Sequence, residues 1–116
     1  MKLQWSKLLP LREEKIKEIS LDNVEGVFRV SRKEDDGKYY VIFIGSSTSL
    51  GKELENLISQ KDENFLKQGG DFAFRYAPIE GEEIRKAIEK QMYKQYVPQF
   101  NQSEPQSTLE IRANLN

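Results

Sequence analysis

The run Ser46-Ser47-Thr48-Ser49 follows Gly45 at the junction between an apolar stretch and a helical pattern. Chains build such junctions to hold a phosphate, because the free backbone N–H groups at a helix start can bind an anion. The same junction also serves as an ordinary turn in which a serine caps the helix, and Ser49 is the best placed for that role. Residue types and spacing predict either use, and capping is the commoner one.

Acid–base chemistry has few candidate side chains here, because the sequence contains no histidine and no cysteine. Imidazole catalysis, thiolate metal sites and disulfides are therefore excluded. Protons would have to move through carboxylates, tyrosine, lysine or water. Trp5 and Tyr93 could stack on nucleic-acid bases, but packing of the N-terminal segment onto a sheet is the simpler expectation for Trp5.

The composition predicts one soluble globular domain of 116 residues, 37% hydrophobic and 32% charged. No apolar run is long enough to span a bilayer, and the charged N-terminus lacks the apolar block of a signal peptide. The lack of cysteine is compatible with a reducing compartment, so we expect a cytoplasmic protein without membrane contact. No feature of the sequence predicts its oligomeric state.

The formal net charge of −1 gives no general attraction to nucleic acid, since dedicated DNA-binding domains are usually basic. The first segment is nonetheless locally basic. Its positive residues are Lys2, Lys7, Arg12, Lys15 and Lys17. Solvated helix charge is the simpler interpretation of them, and a local patch that binds DNA is the alternative.

The first half of the chain predicts a helix and a β-hairpin. Helical spacing runs from Leu11 to Ile19, with Pro10 at its start. The alternating runs GVFRVSR and KYYVIFIG are joined by KEDDGK, whose Asp-Gly pair is a hairpin turn signal. The second run is apolar on both faces, which predicts a buried central strand.

The second half predicts a helix, a strand and a further helix. The buried faces of the two helices are marked by Leu50, Leu54, Leu57 and Ile58, and by Ile84, Ile88, Met92 and Tyr96. Between them, DFAFRYAPI predicts a strand that ends at Pro78, and LEIRANL near the C-terminus is an extra strand or a loose tail. The predicted fold is α+β, a small three-stranded, mainly antiparallel sheet with helices on one face.

Residues at specific places in this pattern resemble the GIY-YIG endonuclease domain. Gly26-Val27-Phe28 opens the first strand, Phe43-Ile44-Gly45 closes the second, and a later helix carries Glu89. The chain then reads Tyr96-Val97-Pro98-Gln99-Phe100-Asn101. The resemblance implies a GIY-YIG-like domain over residues 25–101, with an N-terminal helical segment (1–24) packed on it and a C-terminal tail (102–116).

The resemblance implies metal-dependent cleavage of a phosphodiester, with DNA as the expected partner. In the family, a tyrosine of the first tripeptide helps to activate the attacking group, and an arginine on the following helix neutralises phosphate charge. Glu89 matches a glutamate that holds one divalent cation, Mg²⁺ or Mn²⁺, and Asn101 matches an asparagine that supports the site. The cation and the guanidinium would stabilise charge on the transferring phosphate.

The chain departs from the family at the residues that handle protons and charge. Phe28 and Phe43 replace the two tyrosines, and phenylalanine has no hydroxyl to donate or accept a proton. Glu53 stands at the arginine position and would repel a phosphate. We therefore interpret Phe28 and Phe43 as core or pocket-wall residues, Gly26 as a strand start and Gly45 as a turn residue.

Two neighbours could substitute for the missing groups. Lys52 is one position from Glu53, although one step along a helix is a rotation of about 100°. Tyr39 lies four residues before Phe43, so strict alternation predicts that both share one face of their strand.

Glu89 also has an interpretation that involves no metal. It lies four residues after Arg85 and four before Tyr93, which is the spacing of a solvated pair on a helix surface. A single carboxylate is a poor Mg²⁺ site unless substrate phosphate oxygens complete it.

Three functions follow as hypotheses. The first is a GIY-YIG nuclease-like domain with impaired catalysis and a role connected with nucleic acid. The second is a protein-interaction or structural module on the same scaffold, which the acidic charge balance favours. The third is an active metal-dependent endonuclease with relocated catalytic residues. The matches at Glu89 and Asn101 favour the first and the third hypotheses.

Overall fold

A computed structural model describes residues 1–116, in which the apolar and alternating stretches form one four-stranded antiparallel sheet. The strands are β1 (Leu9–Pro10), β2 (Gly26–Lys33), β3 (Tyr39–Ser47) and β4 (Phe72–Pro78). Their order across the sheet is β1-β4-β2-β3. The α+β class and the β2–β3 hairpin are confirmed, and Gly37 in the hairpin loop adopts a positive φ of 79°.

Three α-helices form where the spacing of apolar residues predicts them. They are α1 (Glu13–Ile19), α2 (Leu50–Ser59) and α3 (Glu82–Tyr96). Two short 3₁₀ segments, Lys61–Glu63 and Phe65–Gln68, connect α2 to β4. The first turns of α1 and α3 carry pairs of glutamates, whose charge is favourable at the positive end of the helix dipole.

The prediction of three strands was wrong, because β1 adds a fourth. Leu9 pairs with Phe74 and Pro10 with Ala73 at the outer side of β4. An edge position suits Pro10, since proline has no N–H to give to a second neighbour. Two residues are too short a run to produce a visible alternation in the sequence.

The prediction that β3 is central was also wrong, because β3 lies at the other edge of the sheet. Its exposed backbone is partly covered by the chain that follows α3, where Phe100 N–H donates to Ile42 O at 3.0 Å. Both faces of β3 and part of its outer edge are covered by other parts of the chain. This edge strand therefore carries the apolar pattern that is typical of a central strand.

Both faces of the sheet are covered, whereas one covered face was predicted. The α2 face is the side that packs on α1 and α2, and its buried cluster includes Phe28, Val30, Phe74 and Leu54. The α3 face is the opposite side, where Ile88 belongs to a second cluster. The rest of that cluster is Leu3, Val27, Ile44, Ala77 and Met92.

The terminal segments pack on this core. Residues 102–116 contain no helix or strand, and Ala113 and Leu115 contact the cluster of the α3 face together with Trp5. The expectation that Trp5 packs onto the sheet is thus confirmed, and the tail forms no extra strand. No helix combines the length and the apolar character that crossing a membrane requires.

Candidate functional site

The two tripeptides that carry the family resemblance lie on neighbouring strands of the sheet and meet at one residue pair. In the β2–β3 register, Gly26 pairs with Ser47 and Phe28 pairs with Gly45. Because the strands are antiparallel, the opening of β2 lies beside the closing of β3. Phe28 and Gly45 are the only tripeptide residues that pair with each other, since Ile44 pairs with Arg29 and Phe43 with Val30.

Phe28 and Phe43 form part of an aromatic cluster in the core of the α2 face. Phe28 is 0% exposed, and its ring centroid lies 6.1 Å from that of Phe43. Phe43 is 5.0 Å from Phe65, which stacks on Phe100 at 5.3 Å. The interpretation of both residues as core or pocket-wall residues is confirmed, and no ring here presents a group that could move a proton.

Gly45 lies inside β3 and not at a turn, so the turn prediction was wrong. A Cβ atom at position 45 would lie 2.6 Å from the ring of Phe28, so only glycine leaves room for that ring. Gly26 begins β2 as predicted, and there a Cβ would collide with the carbonyl oxygen of Ala77 on β4.

The serine-rich corner uses its hydroxyls for local turn contacts. Ser49 occupies the N-cap position of α2, as predicted, but its side chain makes no cap bond and donates instead to Asp22 O. Ser47 Oγ accepts from Ser49 N–H at 2.9 Å and donates to Ser49 O at 2.9 Å. With these hydroxyls occupied, the corner is built as a turn.

Asn101 acts as a side-chain clamp on the edge of β3. Its Nδ2 donates to Ile44 O and its Oδ1 accepts from Ile44 N–H, both at 2.9 Å. The amide thus satisfies both backbone groups of the middle residue of the second tripeptide. Such bonds, made by part-buried groups, hold the chain after α3 against the strand edge.

Glu89 is buried, so its interpretation as a solvated pair was wrong. It is 6% exposed, and its Oε2 accepts from Ser46 Oγ at 2.8 Å and lies 3.2 Å from Lys86 Nζ. Arg85, predicted as its partner, pairs instead with Glu25. The carboxylate joins α3 to β3 and already has a cation beside it.

The sheet separates Glu89 from the two phenylalanines. Phe28 and Phe43 belong to the α2 face. Ser46, which binds Glu89, pairs with Val27, whose side chain packs against α3 on the opposite face. The sequence-predicted site residues therefore do not share one groove.

The residues considered as substitutes do not meet at one place either. A bulge between Val30 and Ser31 adds Ile42 to β3, so Phe43 pairs with Val30 but Val41 pairs with Ser31. The added residue reverses the alternation, and Tyr39 lies on the face opposite to Phe43, contrary to prediction.

Glu53 and Lys52 lie on α2, away from the buried row of that helix. Glu53 is half-buried and forms no ion pair, so no lysine or arginine neutralises its charge. Lys52 is exposed and lines an open groove of about 660 Å³ together with Glu13, Glu55 and Lys61. The acidic members of that groove offset its charge.

The residues present do not fit a bound Mg²⁺ or Mn²⁺ ion. One Glu89 oxygen already binds Ser46 and Lys86, and the chain brings no three acidic side chains together. A hard divalent cation needs about six oxygen ligands, so a lone and partly neutralised carboxylate is a poor site.

A pair of arginines on the α3 face was missed by the sequence interpretation. Arg29, only 4% exposed, faces Arg75 across the β2–β4 register. The guanidinium carbon of Arg29 lies 4.4 Å from the ring centroid of Trp5 and 5.2 Å from that of Tyr96. The available signal in the sequence was Arg29 itself, a charged residue between the apolar Phe28 and Val30.

Comparison with models of known protein families, with curated proteins and with solved structures gives no match. The resemblance to the GIY-YIG domain therefore depends on the residues of this chain alone.

Proposed function

We propose that this chain is a GIY-YIG nuclease-like domain that has lost cleavage and keeps a role connected with nucleic acid. The observation that carries the proposal is the cross-strand pair of Phe28 and Gly45, at which the two tripeptides meet, with Asn101 clamped on Ile44. Phe28, Gly45 and Asn101 thus hold neighbouring places on β2, β3 and the chain that follows α3, as the resemblance implies.

Three features support the loss of catalysis. Phe28 and Phe43 lack hydroxyls and pack in an aromatic cluster. Glu53 brings a negative charge where a phosphate would need a positive one. Glu89 is buried on the other face of the sheet, next to Lys86.

Cleavage and binding assays on single-stranded, double-stranded and branched DNA test this proposal. With Mg²⁺ or Mn²⁺ present, we expect no cleavage above that of the Glu89→Ala variant. We expect binding that weakens as salt rises, because phosphate contacts release counterions. Metal-dependent cutting that Glu89→Ala abolishes would contradict the loss of catalysis and support the active nuclease.

A non-enzymatic protein-interaction module is the second candidate, and one observation favours it. Backbone groups of the C-terminal tail are captured by side chains on the α3 face, in the manner of a bound peptide. If no nucleic acid binds even at low salt, the nucleic-acid role is excluded and this second candidate stands.

A further inference from the structure

A cleft on the α3 face holds the chain's own residues 113–115. N-terminal residues Leu3 and Trp5 form one wall, and Gln91 and Tyr96 of α3 form the other. The cleft lies on the side of the sheet opposite to Phe28. An inference about it therefore does not depend on the proposed nuclease-like function.

Side chains hold the tail by its backbone. Gln91 donates to Ala113 O at 2.7 Å and accepts from Ala113 N–H at 2.9 Å. Trp5 Nε1 donates to Asn114 O at 2.7 Å, and the Asn114 amide binds both backbone groups of Leu3. Peptide-binding sites use this arrangement, in which backbone hydrogen bonds give affinity and side-chain pockets give specificity.

Positive charge lies at the Leu115 end of the cleft. Arg29 Nη1 donates to Leu115 O at 2.6 Å, and Tyr96 lies beside the same oxygen at 3.5 Å. Arg75, the cross-strand neighbour of Arg29, has a buried Nε with no hydrogen-bond partner. Directly opposed residues point to the same face, so the two guanidiniums are neighbours.

No carboxylate balances this charge. Neither Arg29 nor Arg75 takes part in any of the six ion pairs of the chain. Burial lowers the pKa of Arg29, Tyr96 opposes this, and the charge of Arg75 lowers the pKa further. Buried cations are costly without an anionic partner, so an acidic side chain would bind here better than the neutral side chain of Asn116.

The tail can leave the cleft without unfolding a helix or strand. Residues 102–112 contain neither, and they contact α3 through Lys90 Nζ and Ser107 O at 3.2 Å and through the longer pair Lys94–Glu104 at 3.8 Å. A tethered segment competes at an effective concentration on the order of millimolar. A ligand from another molecule must therefore offer a contact that the tail lacks.

We propose that this cleft binds an extended peptide of a partner protein, and that residues 113–115 occupy it until that peptide displaces them. The peptide carries a small residue, an asparagine and an aliphatic residue, followed by an acidic residue. The first three match Ala113, Asn114 and Leu115. The fourth supplies the anion that Arg29 and Arg75 lack.

The test uses the full chain with Asn114→Ala, which removes the tail's grip on Leu3 and leaves both walls of the cleft unchanged. The probes are labelled peptides of residues 111–116, acetylated and amidated, with the native sequence or with Asn116→Glu. Because the peptides are amidated, the glutamate side chain at residue 116 is the only carboxylate of the variant peptide, and the native peptide has none. Binding is measured by fluorescence anisotropy, and release of the tail by the fluorescence of Trp5, the only tryptophan.

We expect the Asn114→Ala chain to bind both peptides. It should bind the peptide with Asn116→Glu about fivefold to tenfold more tightly, because the added carboxylate forms an ion pair with a partly buried arginine. The unaltered chain should bind each peptide at least about tenfold more weakly, because its own tail competes. Adding Arg75→Gln should abolish the advantage of the acidic peptide and spare binding of the native one. A peptide with Asn114→Ala is the control that should not bind.

Two outcomes overturn the proposal. If the released chain binds neither peptide, the cleft is not a peptide site. If it binds both peptides equally, the acidic specificity is wrong. Should the tail of Asn114→Ala stay docked, Ala113→Pro replaces it, since proline has no N–H to donate to Gln91 Oε1.

Discussion

Phe28 and Gly45 act at the residue scale as one packing unit. The Phe28 ring fills the space that a side chain at position 45 would need. A ring that is 0% exposed and lies against a backbone stabilises the hairpin, but it cannot reach a substrate. The position that resembles a catalytic tyrosine therefore serves the core in this chain.

Gly45→Ala should destabilise the fold by about 1–3 kcal/mol, because the added methyl group overpacks the Phe28 ring. Denaturant unfolding measures this free energy. The loss of unfolded-state entropy works in the opposite direction by up to about 1 kcal/mol. Phe28→Leu combined with Gly45→Ala is the control, and it should cost less than the sum of the single changes. Additive costs would show that the ring is not the obstacle.

Asp36 and Tyr40 form a second residue pair, in the hairpin loop. The Tyr40 hydroxyl and then the Lys38 N–H donate to the Asp36 carboxylate and lower its pKa below its ordinary value of 3.8. Because the folded-state pKa is the lower one, this contribution to stability is present at neutral pH. It is lost as the pH falls through the folded-state pKa.

Tyr40→Phe should raise the pKa of Asp36 toward 3.8, but not fully, since the Lys38 bond stays. Carboxyl carbon shifts in an NMR titration measure this pKa. Tyr39→Phe is the matched control, because Asp36 receives its side-chain bond from Tyr40 alone. An unchanged Asp36 titration in Tyr40→Phe would rule out the bond in solution.

At the scale of elements, the edge strand β3 is completed by the chain that follows α3. Phe100 binds Ile42 through the backbone, and Asn101 binds Ile44 through its side chain. These contacts protect backbone groups that would otherwise pair with other chains. They also fix where the end of α3 lies relative to the two tripeptides.

Asn101→Ala should speed hydrogen exchange at the Ile44 amide and lower the free energy of unfolding by about 1–3 kcal/mol, since two part-buried backbone groups lose their partner. Amide exchange followed by NMR and denaturant unfolding measure the two effects. Gln102→Ala, at an exposed neighbouring position, should change neither. Unaltered exchange at Ile44 would mean that the clamp does not protect the strand edge.

At the scale of the whole molecule, one sheet carries two separate cores. Ile16 belongs to the cluster of the α2 face, and Ile88 to that of the α3 face. Side chains in different clusters share no neighbours, so a change in one core should not alter the packing of the other.

Ile16→Val and Ile88→Val should each cost about 0.5–1.5 kcal/mol, as the loss of one buried methyl group does. Their double variant should equal the sum within about 0.5 kcal/mol, because the sheet lies between them. Chemical denaturation of the four proteins tests this cycle. Ile44→Val with Ile88→Val is the comparison within one cluster, where a departure from the sum is expected. Strong coupling between Ile16 and Ile88 would contradict the two-core description.

The sequence by itself determined the features that depend on local pattern. The hairpin, the three helices and the missing hydroxyls at Phe28 and Phe43 follow from periodicity, turn residues and side-chain chemistry. These depend on residues within one or two turns of one another, so neighbours in the chain suffice to predict them.

Only the tertiary structure decided which faces and edges these elements occupy. One added residue at Ile42 moved Tyr39 to the other face, and a two-residue pairing at Leu9 widened the sheet. Glu89 accepts a hydrogen bond from Ser46, which is separated from it by 43 positions in the sequence. Arg29 donates to Leu115 across a separation of 86 positions. Such contacts depend on how packed elements meet, and local periodicity carries no information about that.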